Sequence, residues 1–429
     1  MRNRIIISLW GLLLMLPLGF CYANDNGYFN DTTNRNFVHD KWIKTVQFSH
    51  AKDELSLPIL LLDSPQKLRL SFDDLKEDSR SFSYKIVQCD WDWVPLDNLF
   101  SDYQKGMQLN EFYDYYNSEN TQVPYTHFRL NIPNEDIEIV QSGNYIIQVY
   151  DSDEGEDIIL MQRRFQVVDP KVDIAGKVIN SNLLRDKGRM QELFFDIPLT
   201  TLNISDPNME LHVVVTQNGR WDMAREVSPT FQSDKVLKYQ NDPNLYFTPG
   251  NEFRAFTIRD EKAVNLNVEY MRYIKPYYHA TLYSDRLRKG SVYQSNTDIN
   301  GGFTVVADRT TDASTQADYH FVHFHLDLDI DLAEGIYIFG ALTDWDVKKE
   351  NRLYRVKGQK GYHGDLLLKE GIYNYAYGYK TAQDNDIDLN QFEGNHIETE
   401  NQYQIWVFYS PIGSRYTQLI GFSSINSRK

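Results

Sequence analysis

The sequence predicts an all-β protein built from tandem β-sandwich domains. Short segments alternate apolar and polar residues, a pattern typical of strands with one buried face. Turn residues separate these segments, and long helical periodicity is nearly absent. At roughly 100–200 residues per domain, a chain of 429 residues is expected to form two to four domains, each with its own core.

The first 23 residues are organised like a secretory signal peptide. Two arginines precede an apolar run at residues 5–20, and Ala23 supplies a small residue for cleavage. Such a segment is removed and is not a membrane-spanning helix. The alternative is a lipoprotein signal with Cys21 as the lipidated residue, although Phe20 stands where such signals have a small residue. We therefore expect a periplasmic protein.

Charge and hydropathy exclude two classes of partner. The formal net charge is −16 and there is no basic tract, whereas nucleic-acid binding requires clustered Lys and Arg. After residue 23 no segment approaches the 18 consecutive apolar residues of a spanning helix. The sequence thus predicts no nucleic-acid partner and no direct membrane insertion.

Turn-rich segments divide the predicted strands into three groups. Asp169 and Pro170 lie between two strand patterns and indicate a first boundary. The polar stretch TTDASTQAD at residues 310–318 indicates a second. The predicted β-sandwich domains are 24–170, 171–310 and 311–429.

The segment CDWDW at residues 89–93 combines a cysteine, two tryptophans and two acids. If the preceding strand continues through it, Cys89, Trp91 and Trp93 share one face, and Asp90 and Asp92 face the opposite way. We interpret this as a buried, inert cysteine and a tryptophan pair that packs the first domain. The alternatives are a reactive thiol, which the adjacent acids disfavour, and a glycosidase pair of carboxylates roughly 6–7 Å apart.

No segment carries the signature of a nucleotide-binding loop, a serine-hydrolase elbow or a zinc protease. Residues 151–157 are acidic, and we interpret them as a hairpin loop rather than a calcium site. On the strand at 319–332, His323 and His325 share one face with three aspartates. Two such histidines could share a metal ion, but the aspartates spread over roughly 13 Å along the strand. A solvated face is therefore favoured, and no catalytic, cofactor or metal residue is predicted.

Residues 334–379 contain a strand ending at Gly340, a turn with Asp344 and Trp345, and a glycine-bounded hairpin. This segment resembles the early-set, immunoglobulin-like sandwich of the glycogen-binding type. In that type a tryptophan often stacks on a sugar through its π-face. Many such domains bind no sugar, so a structural or protein-contacting Trp345 is preferred.

Segments from all three predicted domains resemble one family. They are YKIVQCDWDW (84–93), YTHFRLNIPNED (125–136), SGNYIIQVYD (142–151), VVTQNGRWDMA (214–224), YFTPGNEFRAFTIRD (246–260) and EGNHIETENQYQIWVFYSPIGSRYTQLIG (393–421). They are similar to the periplasmic plug proteins of the type IX secretion system of Bacteroidota-like bacteria. The resemblance implies a non-enzymatic protein that binds a very large outer-membrane β-barrel translocon and blocks its periplasmic opening without cargo.

The aromatic fraction of 14% suggests that some rings contact this partner. Trp91, Trp93, Trp221 and Trp345 are the candidate contacts, because tryptophan is enriched at binding hot spots. The opposing interpretation is that the aromatic residues fill the sandwich cores. The alternative function is that of a secreted or periplasmic glycan-binding β-sandwich protein, which rests on Asp344 with Trp345 and on residues 90–93.

Overall fold

The computed structural model describes residues 34–76, 80–156, 158–181, 189–200, 202, 204–332, 334–380 and 387–428. The predicted signal peptide lies outside the described residues. The described chain is almost entirely β-structure, which confirms the predicted fold class. Its strands are β1 (Phe37–Val38), β2 (Ile43–His50), β3 (Ile59–Leu61), β4 (Leu68–Asp74), β5 (Phe82–Cys89), β6 (Gln104–Gly106), β7 (Leu109–Glu111), β8 (Asp114–Asn117), β9 (Thr126–Ile132), β10 (Ile137–Ile139), β11 (Gly143–Asp151), β12 (Ile159–Val168), β13 (Ala175–Asn180), β14 (Gln191–Pro198), β15 (Leu211–Gln217), β16 (Arg220–Glu226), β17 (Phe231–Gln232), β18 (Val236–Tyr239), β19 (Tyr246–Phe247), β20 (Arg254–Ile258), β21 (Val268–Ile274), β22 (Tyr277–Leu282), β23 (Phe303–Val305), β24 (Tyr319–Leu326), β25 (Gly335–Phe339), β26 (Arg352–Leu353), β27 (Tyr362–Lys369), β28 (Gly371–Lys380), β29 (Gln402–Tyr409) and β30 (Gln418–Asn426).

Short helical turns connect some of these strands. They are α1 (Phe100–Tyr103), α2 (Pro207–Glu210), α3 (Ala313–Gln316), α4 (Asn390–Glu393) and the 3₁₀ turns Pro243–Leu245 and Ala341–Thr343. No helix in the described part of the chain has the length and apolar character needed to cross a bilayer.

The first sandwich consists of two sheets with one core between them. One sheet has the order β1-β12-β11-β5-β7, with β3 added to β12, and the other has the order β2-β4-β9-β8. Alternating residues of β4, β5 and β9 point inward, as the period-two pattern predicts. At the centre the ring of Phe72 stacks on Phe128 at 5.1 Å and meets Phe82 edge-on at 5.2 Å.

The second sandwich takes two of its strands from the end of the chain. Its sheets are β13-β14-β18-β17, with β19 added to β14, and β16-β15-β29-β30. Strand β29 pairs antiparallel with β15 along its whole length. Tyr403, Ile405 and Val407 of β29 therefore fill the same core as Leu193 and Phe195 of β14.

The third sandwich lies between β19 and β29 in the chain. Its sheets are β20-β28-β25-β26, with β23 added to β28, and β21-β22-β24-β27. The predicted division after residue 310 separates β23 from β24, although both belong to this sandwich. It also assigns β29 and β30 to the wrong core. Strand pairing thus favours a third unit inserted into the second, whereas the boundary at residue 170 falls between β12 and β13.

The outer faces of the sandwiches pack against one another. Ile59 and Val168 of the first sandwich share an apolar cluster with Val214, Trp406 and Leu419 of the second. On the opposite sheet of the first sandwich, Val123 and Tyr125 pack against Tyr319 of the third. The first sandwich is therefore in contact with both of the others.

Candidate functional site

The segment CDWDW forms a turn at the boundary between the first two sandwiches. Strand β5 ends at Cys89, which is fully buried, so the prediction of a buried cysteine is confirmed. Burial raises the pKa of the Cys89 thiol, and the neighbouring Asp92 and Asp90 raise it further. Trp93 has a left-handed backbone with φ of 69°, so the strand does not continue and the two tryptophans do not share a strand face.

The two tryptophans pack against aromatic side chains of the second sandwich. The ring of Trp91 stacks on His212 at 4.2 Å, and Trp93 meets Trp221 edge-on at 5.0 Å. Trp221 in turn contacts Trp406 at 5.2 Å. Trp93 is only 2% exposed and the guanidinium of Arg164 covers its face at 4.3 Å. Trp91, Trp93 and Trp221, which the sequence predicts as partner contacts, therefore join the first and second sandwiches of this chain.

The adjacent acids have structural partners. The carboxylate of Asp90 accepts a hydrogen bond from the hydroxyl of Thr417, just before β30. Asp92 accepts a hydrogen bond from the backbone N–H of Val94 at 3.1 Å, and burial raises the pKa of its carboxyl. The Asp90 carboxylate therefore bonds to the second sandwich, and the Asp92 carboxylate bonds to the backbone of the turn. The geometry gives no support to a glycosidase pair.

Trp345 packs at the junction of the second and third sandwiches. Its ring meets Phe253 at 5.8 Å and Phe339 at 5.4 Å, and the guanidinium of Arg220 lies 5.2 Å from its centre. One face of the ring is therefore covered from within the protein. The neighbouring Asp344 accepts a hydrogen bond at 2.7 Å from Arg163 of the first sandwich.

A buried polar cluster joins the first and third sandwiches. Asp73 of β4 accepts hydrogen bonds at 2.6 Å from Lys369 Nζ and from the hydroxyl of Tyr319. Its other oxygen lies 2.6 Å from Nδ1 of His127. Burial alone raises the pKa of Asp73, but the ammonium of Lys369 and the contact with His127 hold that pKa below its usual value. Burial lowers the pKa of Lys369. Asp73 and Lys369 thus neutralise each other's charges at a buried site.

An exposed apolar surface of the first sandwich lies at its outer edge, where β7 ends one sheet and β8 ends the other. We define this outer edge by five side chains, which are the exposed residues Met107 (66%), Leu109 (38%), Tyr113 (73%), Tyr115 (56%) and Tyr116 (49%). Three of them line a pocket of about 230 Å³, which is also lined by Glu111, Asp136 and Glu156. Exposed Met and Tyr side chains with polar groups around them are typical of protein interfaces.

The outer edge was not among the sequence-predicted contacts. Its sequence, NEFYDYYN at residues 110–117, places tyrosines among acids without a period of two. All four residues of β8 are exposed, so one strand presents both of its faces to solvent. The loss of alternation in an aromatic-rich segment is the signal that could have identified it.

The outward face of β24 carries the two predicted histidines. Val322, Phe324 and Leu326 are buried while His323 and His325 are half-buried on the opposite face, as the alternation predicts. The strand ends at Leu326 rather than at residue 332. Within the described residues, no group of three or more His, Cys, Asp or Glu side chains is arranged to hold a metal ion.

Comparisons with known proteins agree with the fold. Residues 43–169 match the family model of the first domain of the type 9 secretion system plug protein. The chain belongs to this plug protein family. The matched region contains β2 to β12 and therefore includes the whole outer edge. The family is a component of the secretion system, so a role in type IX protein secretion follows from membership.

The fold is shared over nearly the whole chain with a solved structure. A crystal structure of a hypothetical protein from Parabacteroides merdae is 31% identical to this plug family member. The match covers 92% of this chain and 100% of that chain, with a TM-score of 0.89. No curated protein sequence matches the chain.

Proposed function

We propose that the protein is a non-enzymatic, periplasmic plug that binds the outer-membrane β-barrel translocon of the type IX system and occludes its periplasmic opening in the absence of cargo. The observation that carries this proposal is the buried packing between the three sandwiches. A plug resists passage through a wide pore by its size and stiffness, and it needs no reactive group. Release is coupled to the arrival of cargo.

The stiffness has a physical basis in two different kinds of contact. The first and second sandwiches share an apolar cluster around Trp406 and Trp221, and burial of such surface contributes roughly 25 cal/mol per Å². The first and third sandwiches are joined by the buried pair of Asp73 and Lys369, which resists separation because parting the charges leaves each one unpaired. Domains joined only by polar, solvated surfaces normally move relative to each other.

The outer edge is the surface that we assign to the translocon. Tyrosine side chains give a large contact area at a low entropic cost and are enriched at binding hot spots. Here Tyr113, Tyr115 and Tyr116 lie within four consecutive residues of the family-matched sandwich and are far more exposed than Trp93 or Trp406. Among the described strands, β8 pairs only with β9, so its other edge is unpaired there.

The direct test is recovery of the translocon from detergent-solubilised outer membranes with the tagged full-length protein as bait. We expect one very large barrel protein to be recovered. A variant carrying Tyr113→Ser, Tyr115→Ser and Tyr116→Ser should recover at least about tenfold less, because hot-spot truncations each cost more than about 1 kcal/mol.

The matched control carries three serines at exposed tyrosines of the third sandwich, namely Tyr270, Tyr273 and Tyr283, which are 47%, 46% and 57% exposed. It should recover as much barrel as the unmodified protein. Failure of the unmodified bait to recover any barrel contradicts the plug. Equal recovery by both triple variants contradicts only the assignment of the outer edge.

A further inference from the structure

Four histidines lie on the outward face of the sheet β21-β22-β24-β27. They are His279 on β22, His323 and His325 on β24, and His363 on β27. They form two neighbouring pairs with different geometry. The proposed plug function does not require either pair. Each pair presents two accessible imidazoles that could bind a ligand.

His325 and His363 are directly opposite one another in the antiparallel ladder of β24 and β27. The carbonyl of His325 accepts a hydrogen bond from Asp285, and the backbone of His363 exchanges two hydrogen bonds with Tyr354. Because these backbone groups bond to strands on the outer sides, His325 and His363 form a non-hydrogen-bonded pair. At such a position the two Cα atoms are only about 4.5 Å apart, so the side chains meet.

The two imidazole rings converge on one point. Their centres are 4.4 Å apart and their planes differ by 7°. Nε2 of His325 lies 3.0 Å from the carbonyl oxygen of Lys360, and Nε2 of His363 lies 2.9 Å from the same atom. This placement of two nitrogens around one atom resembles the placement of two ligands around one metal ion.

The loop that supplies this carbonyl can approach only because it contains glycine. Gly361 has φ of +74°, and a Cβ atom there would lie 2.7 Å from Nε2 of His325 and 2.4 Å from the carbonyl oxygen of Leu326. Any side chain at this position would displace the ring or the strand. Glycine at this position therefore allows the backbone carbonyl of Lys360 to contact both imidazole rings.

We propose that His325 and His363 form a binding site for a divalent transition-metal ion of the imidazole-preferring class, with Cu²⁺ bound most tightly. Imidazole nitrogen suits Zn²⁺, Ni²⁺ and Cu²⁺, and affinity for a given nitrogen site rises to Cu²⁺ in the divalent series. Two nitrogens bound at about 2.1 Å to one ion are about 3 Å apart, so binding requires the two rings to close towards each other.

The site has two side-chain ligands, and water completes the coordination. Binding requires neutral imidazoles with Nε2 unprotonated. Each ring therefore carries its proton on Nδ1 in the metal-bound form, and the hydrogen bonds to Lys360 are exchanged for bonds to the ion.

The second pair has a different arrangement and serves as the control. Nε2 of His323 lies 2.8 Å from Nδ1 of His279, and Nδ1 of His323 lies 2.5 Å from a carboxylate oxygen of Asp365. Both nitrogens of the central ring are already bonded, and the three groups form a line rather than a cluster. No metal site is assigned to them.

The test uses the full chain titrated with CuCl₂, followed by calorimetry and electron paramagnetic resonance. We expect one tight Cu²⁺ with two coordinated nitrogens, counted from the hyperfine pattern. His325→Ala and His363→Ala should each weaken binding at least about tenfold and reduce the count, because loss of a direct ligand costs no less than the 10–100-fold of a supporting group.

His279→Ala, with the same loss of one imidazole from the same face, should bind Cu²⁺ like the unmodified chain. Circular dichroism confirms that all variants are folded. No tight binding by the unmodified chain, unchanged binding in both the His325 and His363 variants, or loss of binding in the His279 variant would each overturn the proposal. None of these outcomes bears on the recovery of the barrel.

Discussion

The Nζ atom of Lys369 lies 2.6 Å from Oδ2 of Asp73, and the two side chains are 1% and 0% exposed. Asp73 belongs to the first sandwich and Lys369 to the third, 296 residues apart in the sequence. Burial of either charge alone is costly, and the pair is stable only because each group has the other and further hydrogen-bond partners. This contact therefore reports directly on whether the units are joined.

Loss of one partner of this pair should be strongly destabilising. Lys369→Met leaves the carboxylate of Asp73 without its main countercharge, and removal of one member of a buried pair costs about 3–5 kcal/mol. Urea denaturation followed by tryptophan fluorescence measures the loss in the free energy of unfolding.

The control is the exposed pair of Lys105 and Glu138, whose side chains are 66% and 57% exposed and lie 2.9 Å apart. Lys105→Met should change stability by less than about 1 kcal/mol, because solvent screens such pairs. The account is contradicted if Lys369→Met is no more destabilising than Lys105→Met.

Truncation of Trp93 should destabilise the contact between the first two sandwiches. Its ring fills the space between Arg164 and Trp221, and Trp→Ala at a buried site costs about 3–5 kcal/mol. Trp42→Ala is the matched control, since Trp42 is 41% exposed and should lose about 0.5 kcal/mol or less. Thermal unfolding of both variants measures the difference, and equal losses would show that Trp93 is not a packing residue.

Trp91 should behave differently from Trp93. The sequence predicts that Trp91 packs the first domain, but its ring stacks on His212 of the second sandwich. We therefore expect a folded protein with weaker coupling, at a cost of about 0.5–1.5 kcal/mol for the lost ring pair. Hydrogen exchange should accelerate in the turn at residues 90–94 while the core of the first sandwich stays protected. Fast exchange throughout that core would instead show that Trp91 packs the first domain.

The stability of the protein should fall as pH rises towards and through 8. Burial raises the pKa of Glu370 to about 8, and repulsion from Asp318 and Glu261 adds to the shift. The carboxyl is neutral in the folded state and accepts a hydrogen bond from the N–H of Asp318, while in the unfolded chain its pKa is near 4.5. The folded state thus binds this proton more tightly. Its contribution is complete below pH 4.5 and is lost as pH rises to about 8.

Glu370→Gln isolates this effect, because glutamine stays neutral and keeps an oxygen for the N–H of Asp318, which lies 2.9 Å from the carboxyl. Each unit of pKa shift corresponds to about 1.4 kcal/mol. The free energy of unfolding of the variant, relative to that of the unmodified protein, should therefore increase between pH 5 and pH 9. A difference that does not change with pH contradicts the raised pKa.

Local patterns predicted the strands but not their partners. In β24 the alternation placed Val322, Phe324 and Leu326 inside and two histidines outside, because side-chain period is a local property of a strand. The return of β29 to pair with β15 was not predicted. That pairing joins Leu211 to Tyr409 across almost 200 residues, and no local signal encodes it.

The candidate contacts were harder to predict than the fold. The sequence suggests Trp91, Trp93, Trp221 and Trp345 as partner contacts from residue type, and all four also pack against the chain's own units. Aromatic composition does not distinguish a contact between units from one with another protein. The outer edge differs in exposure, and exposure depends on the finished sheet rather than on the segment.

The most direct test of the central claim is entry of a large hydrophilic dye into the periplasm of cells that assemble an open translocon. Deletion of this protein should make such cells permeable. The unmodified protein should restore the seal, whereas the variant with serines at Tyr113, Tyr115 and Tyr116 should not. If the deletion strain excludes the dye as well as its parent does, the protein does not occlude the translocon.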